Sequence, residues 1–165
     1  MHKFSSSLLL LLIAMIALVL GYDIQQVPEK VVAKDKVVVS RVIDGDTVEI
    51  LTAIGTDKIR LIGVDTTEKG ECYFQEAKDY LADVLENREV TIESDPTQDN
   101  RDKYHRLLRY IYLPDGTNIA EDLIKNGYGY EYTYEKPYFY QDLYKTAQDY
   151  AETNQLGVYN SQSCS

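Results

Sequence analysis

The chain has 165 residues, with 17 Lys+Arg against 27 Asp+Glu, a formal net charge of −10 and 44% hydrophobic residues. That length fits one globular domain with a short appendage, and the apolar fraction excludes a disordered chain. The acidic balance excludes a protein that coats nucleic acid through a broadly basic exterior, so chemistry on nucleic acid requires local positive charge and a cation.

Residues 1–21 read as a signal peptide or N-terminal anchor. His2 and Lys3 precede an almost purely apolar run from Leu8 to Leu20. The run has the length of a signal-peptide apolar stretch and falls short of the ~20 residues that span a bilayer. Val19 and Gly21 suit the small-residue positions before a cleavage point, but the A-x-A pattern is absent, so cleavage and anchoring both stay open. No Cys directly follows the run, and no lipoprotein attachment is expected. The segment is expected to engage the membrane or the export machinery. The rest of the chain is then secreted, or tethered to the outer face of the cell membrane.

Residues 22–36, with Gln25, Gln26 and Pro28, read as a polar linker, and residues 37–165 as the folded domain. Val37 to Ile43, the turn Asp44-Gly45-Asp46 and Thr47 to Leu51 read as a hairpin. A third strand, Lys58 to Ile62, follows a turn around Gly55. Phe74, Ala77, Leu81, Val84 and Leu85 share one face at helical spacing, which predicts a helix from Cys72 to Asn87. Val90 to Ile92 and Arg106 to Leu113 read as strands. Asn118 caps a short helix through Lys125, and Asn126-Gly127 stops it. Tyr128 to Lys136 is tyrosine-rich and irregular, and Pro137 opens a last helix through about Gln155. The order β-β-β-α-β-β-α-α is that of an α+β domain on a five-stranded OB-fold β-barrel with about three helices.

Export would place Cys72 and Cys164 where disulfides persist. One bridge between them is the simplest pairing, and it would stabilise the domain by roughly 3–5 kcal/mol in the chain-entropy view. Two unrelated free thiols are the alternative.

Four charged clusters carry candidate chemistry: Asp44 to Thr47 at a strand turn, Arg60 on the third strand, Asp65 to Glu68 as that strand ends, and Asp102 to Arg106 opening a later strand. Asp46 and Asp65 fall at the ends of neighbouring strands, so their carboxylates can converge into an oxygen-rich site suited to Ca²⁺. Arg60 and Arg106 offer bidentate donors to a phosphate. Glu68 is the candidate general base. Each piece alone also has a plain reading, as a turn, a loop cap or an edge-strand charge.

Three strings resemble the thermonuclease (staphylococcal nuclease-like) family: Val42-Ile43-Asp44-Gly45-Asp46-Thr47-Val48, the run from Arg60 to Glu68, and the run from Asp102 to Tyr112. The resemblance spans roughly Val37 to Asn160. It implies an OB-fold endonuclease that hydrolyses DNA and RNA with Ca²⁺ and leaves 3′-phosphate ends. It further implies that Asp46, Asp65 and the Thr66 carbonyl bind Ca²⁺, with Asp44 tightening the turn behind them. Arg60 and Arg106 would contact the scissile phosphate, Glu68 would act as base, and Lys103 and Tyr104 would contact a terminal phosphate. A monomer is the default for this size and family. The alternative is an OB-fold module that binds nucleic acid or protein without cleaving.

The chain departs from the family pattern at several points. Thr67 stands where proline is usual, which loosens the loop that carries Glu68. His105 stands where glycine is usual, a poor choice if that position needs φ > 0. The family's base-stacking tyrosine falls near Thr133, which Tyr132 and Tyr134 flank. Either tyrosine can stack a base, or the cluster covers the barrel. The acidic balance is unlike that of the best-known members, and weaker steering should slow association and sharpen salt sensitivity at the few remaining contacts.

Overall fold

Burial along the first strand is interrupted by a discontinuity in its pairing. The computed structural model describes residues 34–160, and its first strand, β1 (Lys34–Val42), buries Val39 and Val42, three positions apart. A strict period of two would turn Arg41 inward instead. A register shift against β2 (Thr47–Thr52) between Val39 and Arg41 resolves this, because a bulge adds one residue and returns Val42 to the core.

The barrel closes in the order β1-β2-β3-β6-β5, where β3 is Gly55–Leu61, β5 is Glu89–Glu93 and β6 is Leu107–Tyr112. β5 pairs back onto β1, so no open edge is left in this sheet. All neighbours are antiparallel except β3 and β6, which run parallel. This is the expected five-stranded OB-fold barrel with three helices. Val48, Ile50, Ile59, Leu61, Ile92 and Ile111 fill it.

Helix α1 (Phe74–Leu85) buries Ala77, Leu81 and Leu85. Its end is welded to the bulged strand: Glu86 Oε1 accepts from the Val42 amide at 2.8 Å, and the Asn87 amide donates to the Val39 carbonyl at 2.8 Å. Helix α2 (Ile119–Lys125) is capped as expected, with Asn118 Oδ1 accepting from the Ala120 and Glu121 amides. Helix α3 (Gln141–Thr153) starts four residues beyond the expected Pro137. The reason is competition for backbone groups. The Pro137 carbonyl accepts from Thr97 Oγ1 and Gln98 Nε2, and the Phe139 amide donates to Asp95.

A second, two-stranded sheet pairs β4 (Val64–Asp65) with β7 (Tyr130–Glu131). The sequence shows no pattern for either strand, and Tyr128 to Lys136 was expected to be irregular throughout. The apolar N-terminal run, most of the linker and Cys164 lie outside the described residues. Cys72 lies two residues before α1 and is not a free thiol.

Candidate active site

The turn between β1 and β2 is drawn tight by its own side chain: Asp44 Oδ1 accepts the Asp46 amide at 3.2 Å. Gly45 permits a close approach. A Cβ there would stand 2.6 Å from Thr66 Oγ1 and 2.9 Å from Ala77 Cβ, so any side chain would push the turn off the next loop.

Asp46 is thereby buried, at 7% exposure. Its Oδ1 accepts from the Thr47 hydroxyl at 3.0 Å, and its Oδ2 accepts from the Thr66 amide at 3.2 Å. Arg60 Nη2 lies 3.0 Å from Asp46 Oδ2 and 2.6 Å from Asp65 Oδ1, bridging the two carboxylates. Its Nη1 donates to the Leu61 and Val64 carbonyls. Burial pushes the Asp46 carboxyl up to about 6, against the opposing pull of the Arg60 guanidinium.

Thr66 is buried, with Glu68 exposed two residues on. The Glu68 amide donates to Glu71 Oε2 at 2.8 Å, and the Glu71 amide returns a bond to the Glu68 carbonyl. The loop thus has an internal brace in place of proline. Thr67 Oγ1 is buried without a hydrogen-bond partner.

The loop before β6 is organised by Asp102. Its carboxylate accepts from the Tyr104 and Arg106 amides, both at 2.9 Å, and from Arg106 Nε at 2.7 Å. Those bonds outweigh its own partial burial and hold the Asp102 carboxyl below the ordinary carboxylate range. His105 adopts φ 65, the left-handed conformation that glycine would take more easily. Lys103 Nζ lies 5.1 Å and the Arg106 guanidinium carbon 5.4 Å from the Tyr104 ring centre.

These groups line one groove of ≈ 720 Å³. Asp44, Asp46, Arg60, Asp65, Thr66 and Glu68 meet Lys103, Tyr104 and Arg106 there, and Tyr132 and Tyr134 form another wall. The β4–β7 pairing brings the tyrosines in, with the Tyr132 amide donating to the Gly63 carbonyl at 3.0 Å. Their rings lie 6.4 Å apart, tilted by 43°, and both are exposed. Both therefore face the groove; the buried Tyr138 also reaches its lining from the core, and Tyr144 packs wholly in the core. Cys72 is not among the lining residues.

Two groups on which the site depends lie inside the candidate clusters but were given no role of their own. Asp102 holds Arg106, and its place at the head of a tight turn was the available signal. Thr47 bridges Asp46 and Arg106, for which the sequence carries no signal.

The donor chemistry fits a hard cation. Asp46, Asp65 and the Thr66 carbonyl offer oxygen alone. A positive group already lies between the two carboxylates in the form of Arg60. Among the described residues no cluster of three or more acidic, His or Cys side chains forms. If these three groups held a calcium ion, they would supply only part of the six to eight oxygens it takes, and water or substrate would supply the others.

The family profile described as "Staphylococcal nuclease homologue" matches residues 58–161. The chain belongs to this family. It is 32% identical over 169 residues to a protein named Thermonuclease from Staphylococcus intermedius, covering 96% of this chain and 99% of that one. It is 33% identical over 94 residues to an "Uncharacterized endonuclease" of Escherichia coli O157:H7, covering 57% of this chain and 59% of that one. It is 31% identical over 131 residues to "Endonuclease YncB" of Bacillus subtilis (strain 168), covering 75% of this chain and 61% of that one. The chain thus spans about three fifths of the length of the latter two relatives. Asp44 and Asp46 precede the matched stretch, and Arg60, Asp65, Glu68 and Arg106 lie inside it.

Proposed function

We propose that this protein is a Ca²⁺-dependent endonuclease that hydrolyses phosphodiester bonds of DNA and RNA. The observation that carries the reading is the convergence of two carboxylates, two guanidiniums and Glu68 on one groove walled by tyrosines. Asp46, Asp65 and the Thr66 carbonyl would hold the cation, with Asp44 bracing the turn. Bound Ca²⁺ would supply Lewis-acid stabilisation of charge on a phosphate oxygen.

The chain's own residues do the rest. Arg60 and Arg106 bind the scissile phosphate and stabilise its negative charge as it develops. Arg60 must exchange part of its carboxylate contact for the phosphate, which a cation beside Asp46 and Asp65 would favour. Glu68, exposed and unburdened by the brace that uses its backbone, positions a water and takes its proton. Lys103 and Tyr104 meet a neighbouring phosphate, and Tyr132 and Tyr134 stack on bases at about 1–3 kcal/mol each. The N-terminal apolar segment directs export, the chain acts outside the cell or on its surface as a monomer, and Cys72 pairs with Cys164.

The test is cleavage of single-stranded DNA with Ca²⁺ and then with excess chelator. Cleavage that chelation abolishes and Ca²⁺ restores supports the reading. A folded sample without cleavage in either condition would replace it with a binding module. Within the reading, Glu68→Gln and Arg106→Ala each lower kcat at least about 100-fold while leaving the fold intact. A variant of equal activity would remove its residue from the mechanism.

A further inference from the structure

Thr47 opens β2, and the register sets it opposite Arg60 on β3. It is 2% exposed. Its hydroxyl donates to Asp46 Oδ1 at 3.0 Å and accepts from Arg106 Nη1 at 3.2 Å. A hydroxyl can do both because it carries one hydrogen and two lone pairs. Valine has the same shape and neither capacity. Serine keeps both.

The two halves of the groove are built by separate pieces of chain. Asp46 belongs to the β1–β2 turn, and Arg106 to the loop before β6. The contact of Asp102 with Arg106 Nε fixes the guanidinium within its own turn. The contact of Thr47 with Nη1 fixes it to the barrel, beside the carboxylate that faces Arg60. We propose that Thr47 is a positioning residue that couples Asp46 to Arg106 and sets the separation a phosphodiester must span. The proposal rests on the nuclease reading above. Its physical basis is preorganisation: catalytic groups misplaced by about 1 Å lose on the order of 100-fold in rate. Partners that orient metal ligands contribute about 10–100-fold.

The experiment compares the full chain as wild type, Thr47→Val, Thr47→Ser and Glu68→Gln. The first readout is kcat and KM on a single-stranded DNA oligonucleotide with Ca²⁺. The second, without cation or substrate, is exchange of the Arg106 Nη protons by NMR, because Nη1 is the atom that Thr47 holds. Thr47→Val should lower kcat about 10–100-fold with KM little changed, and should speed the exchange. Thr47→Ser should restore both readouts to within about threefold of wild type. Wild-type kcat and wild-type exchange in Thr47→Val would overturn the proposal. So would a Thr47→Ser protein as impaired as Thr47→Val, which would assign the effect to the lost methyl group. A wild-type protein no more active than Glu68→Gln would sink the nuclease reading alone. The exchange readout would then still decide whether Thr47 holds Arg106.

Discussion

His105 and Asp46 are each held in a state that costs stability. His105 stands at φ 65 in the turn that presents Arg106. A non-glycine residue there costs about 1–3 kcal/mol, against which glycine forfeits about 0.5–1 in chain entropy. His105→Gly should therefore stabilise the protein by about 1 kcal/mol, seen as a higher midpoint in urea. A lower midpoint would show that the imidazole makes a compensating contact. For Asp46 the sign follows from its carboxyl being raised to about 6 by burial. The folded chain keeps a proton there that the unfolded chain has released, so this contribution is present below about pH 4 and lost as pH rises through about 6. In chelator, Asp46→Asn should gain on wild type in unfolding free energy between about pH 4 and 6 and level off above that. A difference flat in pH would mean that the carboxyl is not desolvated.

At the scale of elements, two contacts hold the groove walls. Asp95, 5% exposed, accepts from the Thr97 amide at 2.7 Å, the Tyr110 hydroxyl at 2.5 Å and the Phe139 amide at 2.8 Å. It ties the loop after β5 to β6 and to the segment before α3. Burial raises its carboxyl, but the bonds from Phe139, Tyr110 and Thr97 outweigh that and leave it below the ordinary range. Its stabilisation is present above the unfolded value and lost as pH falls through the folded one. Asp95→Asn should cost about 3 kcal/mol at neutral pH, and the loss should shrink below about pH 4. Gly129 does the same service for the other wall. A Cβ there would stand 2.6 Å from the Asp65 carbonyl and 3.0 Å from Thr66 Cγ2. Gly129→Ala should thus push β7 off β4 and weaken nucleic-acid cleavage, assayed with Ca²⁺, more than a remote Gly116→Ala. Equal activity of the two would free Asp65 and Thr66 from any dependence on β7.

The whole molecule is acidic at −10, and the groove does not escape this. Arg60, Arg101, Arg106 and Lys136 on its walls already face carboxylates, of Asp46 and Asp65, Asp57, Asp102, and Asp99 in turn. Few cations are therefore available for phosphates, and under the proposed function stacking on the tyrosines would carry a large share of the affinity. For Glu68→Gln with Ca²⁺ and oligothymidylate, log K against log salt should have a slope no steeper than about −3, the value for four phosphates on a single strand. A slope near −7 would reveal a wider basic path than the groove contains.

The local signals in the sequence were enough for the barrel strands, the Asn118 cap and the order of the charged motifs. Alternation, turn residues and caps act within a few positions, so they can be read one after another. Asp46, Arg60, Asp65, Glu68 and Arg106 were only suggestive by their order in the chain, and the family resemblance singled them out as a set; the structure lines one groove with them. Tertiary structure decided the rest. It paired Val64–Asp65 with Tyr130–Glu131, which turned Tyr132 and Tyr134 into the groove, and it delayed α3 past Pro137 by engaging that carbonyl from the Asp95 loop. It also brought Thr47 between Asp46 and Arg106. Such contacts join residues far apart in the chain, and they follow from closure of the barrel and the register of its strands, which no local pattern records.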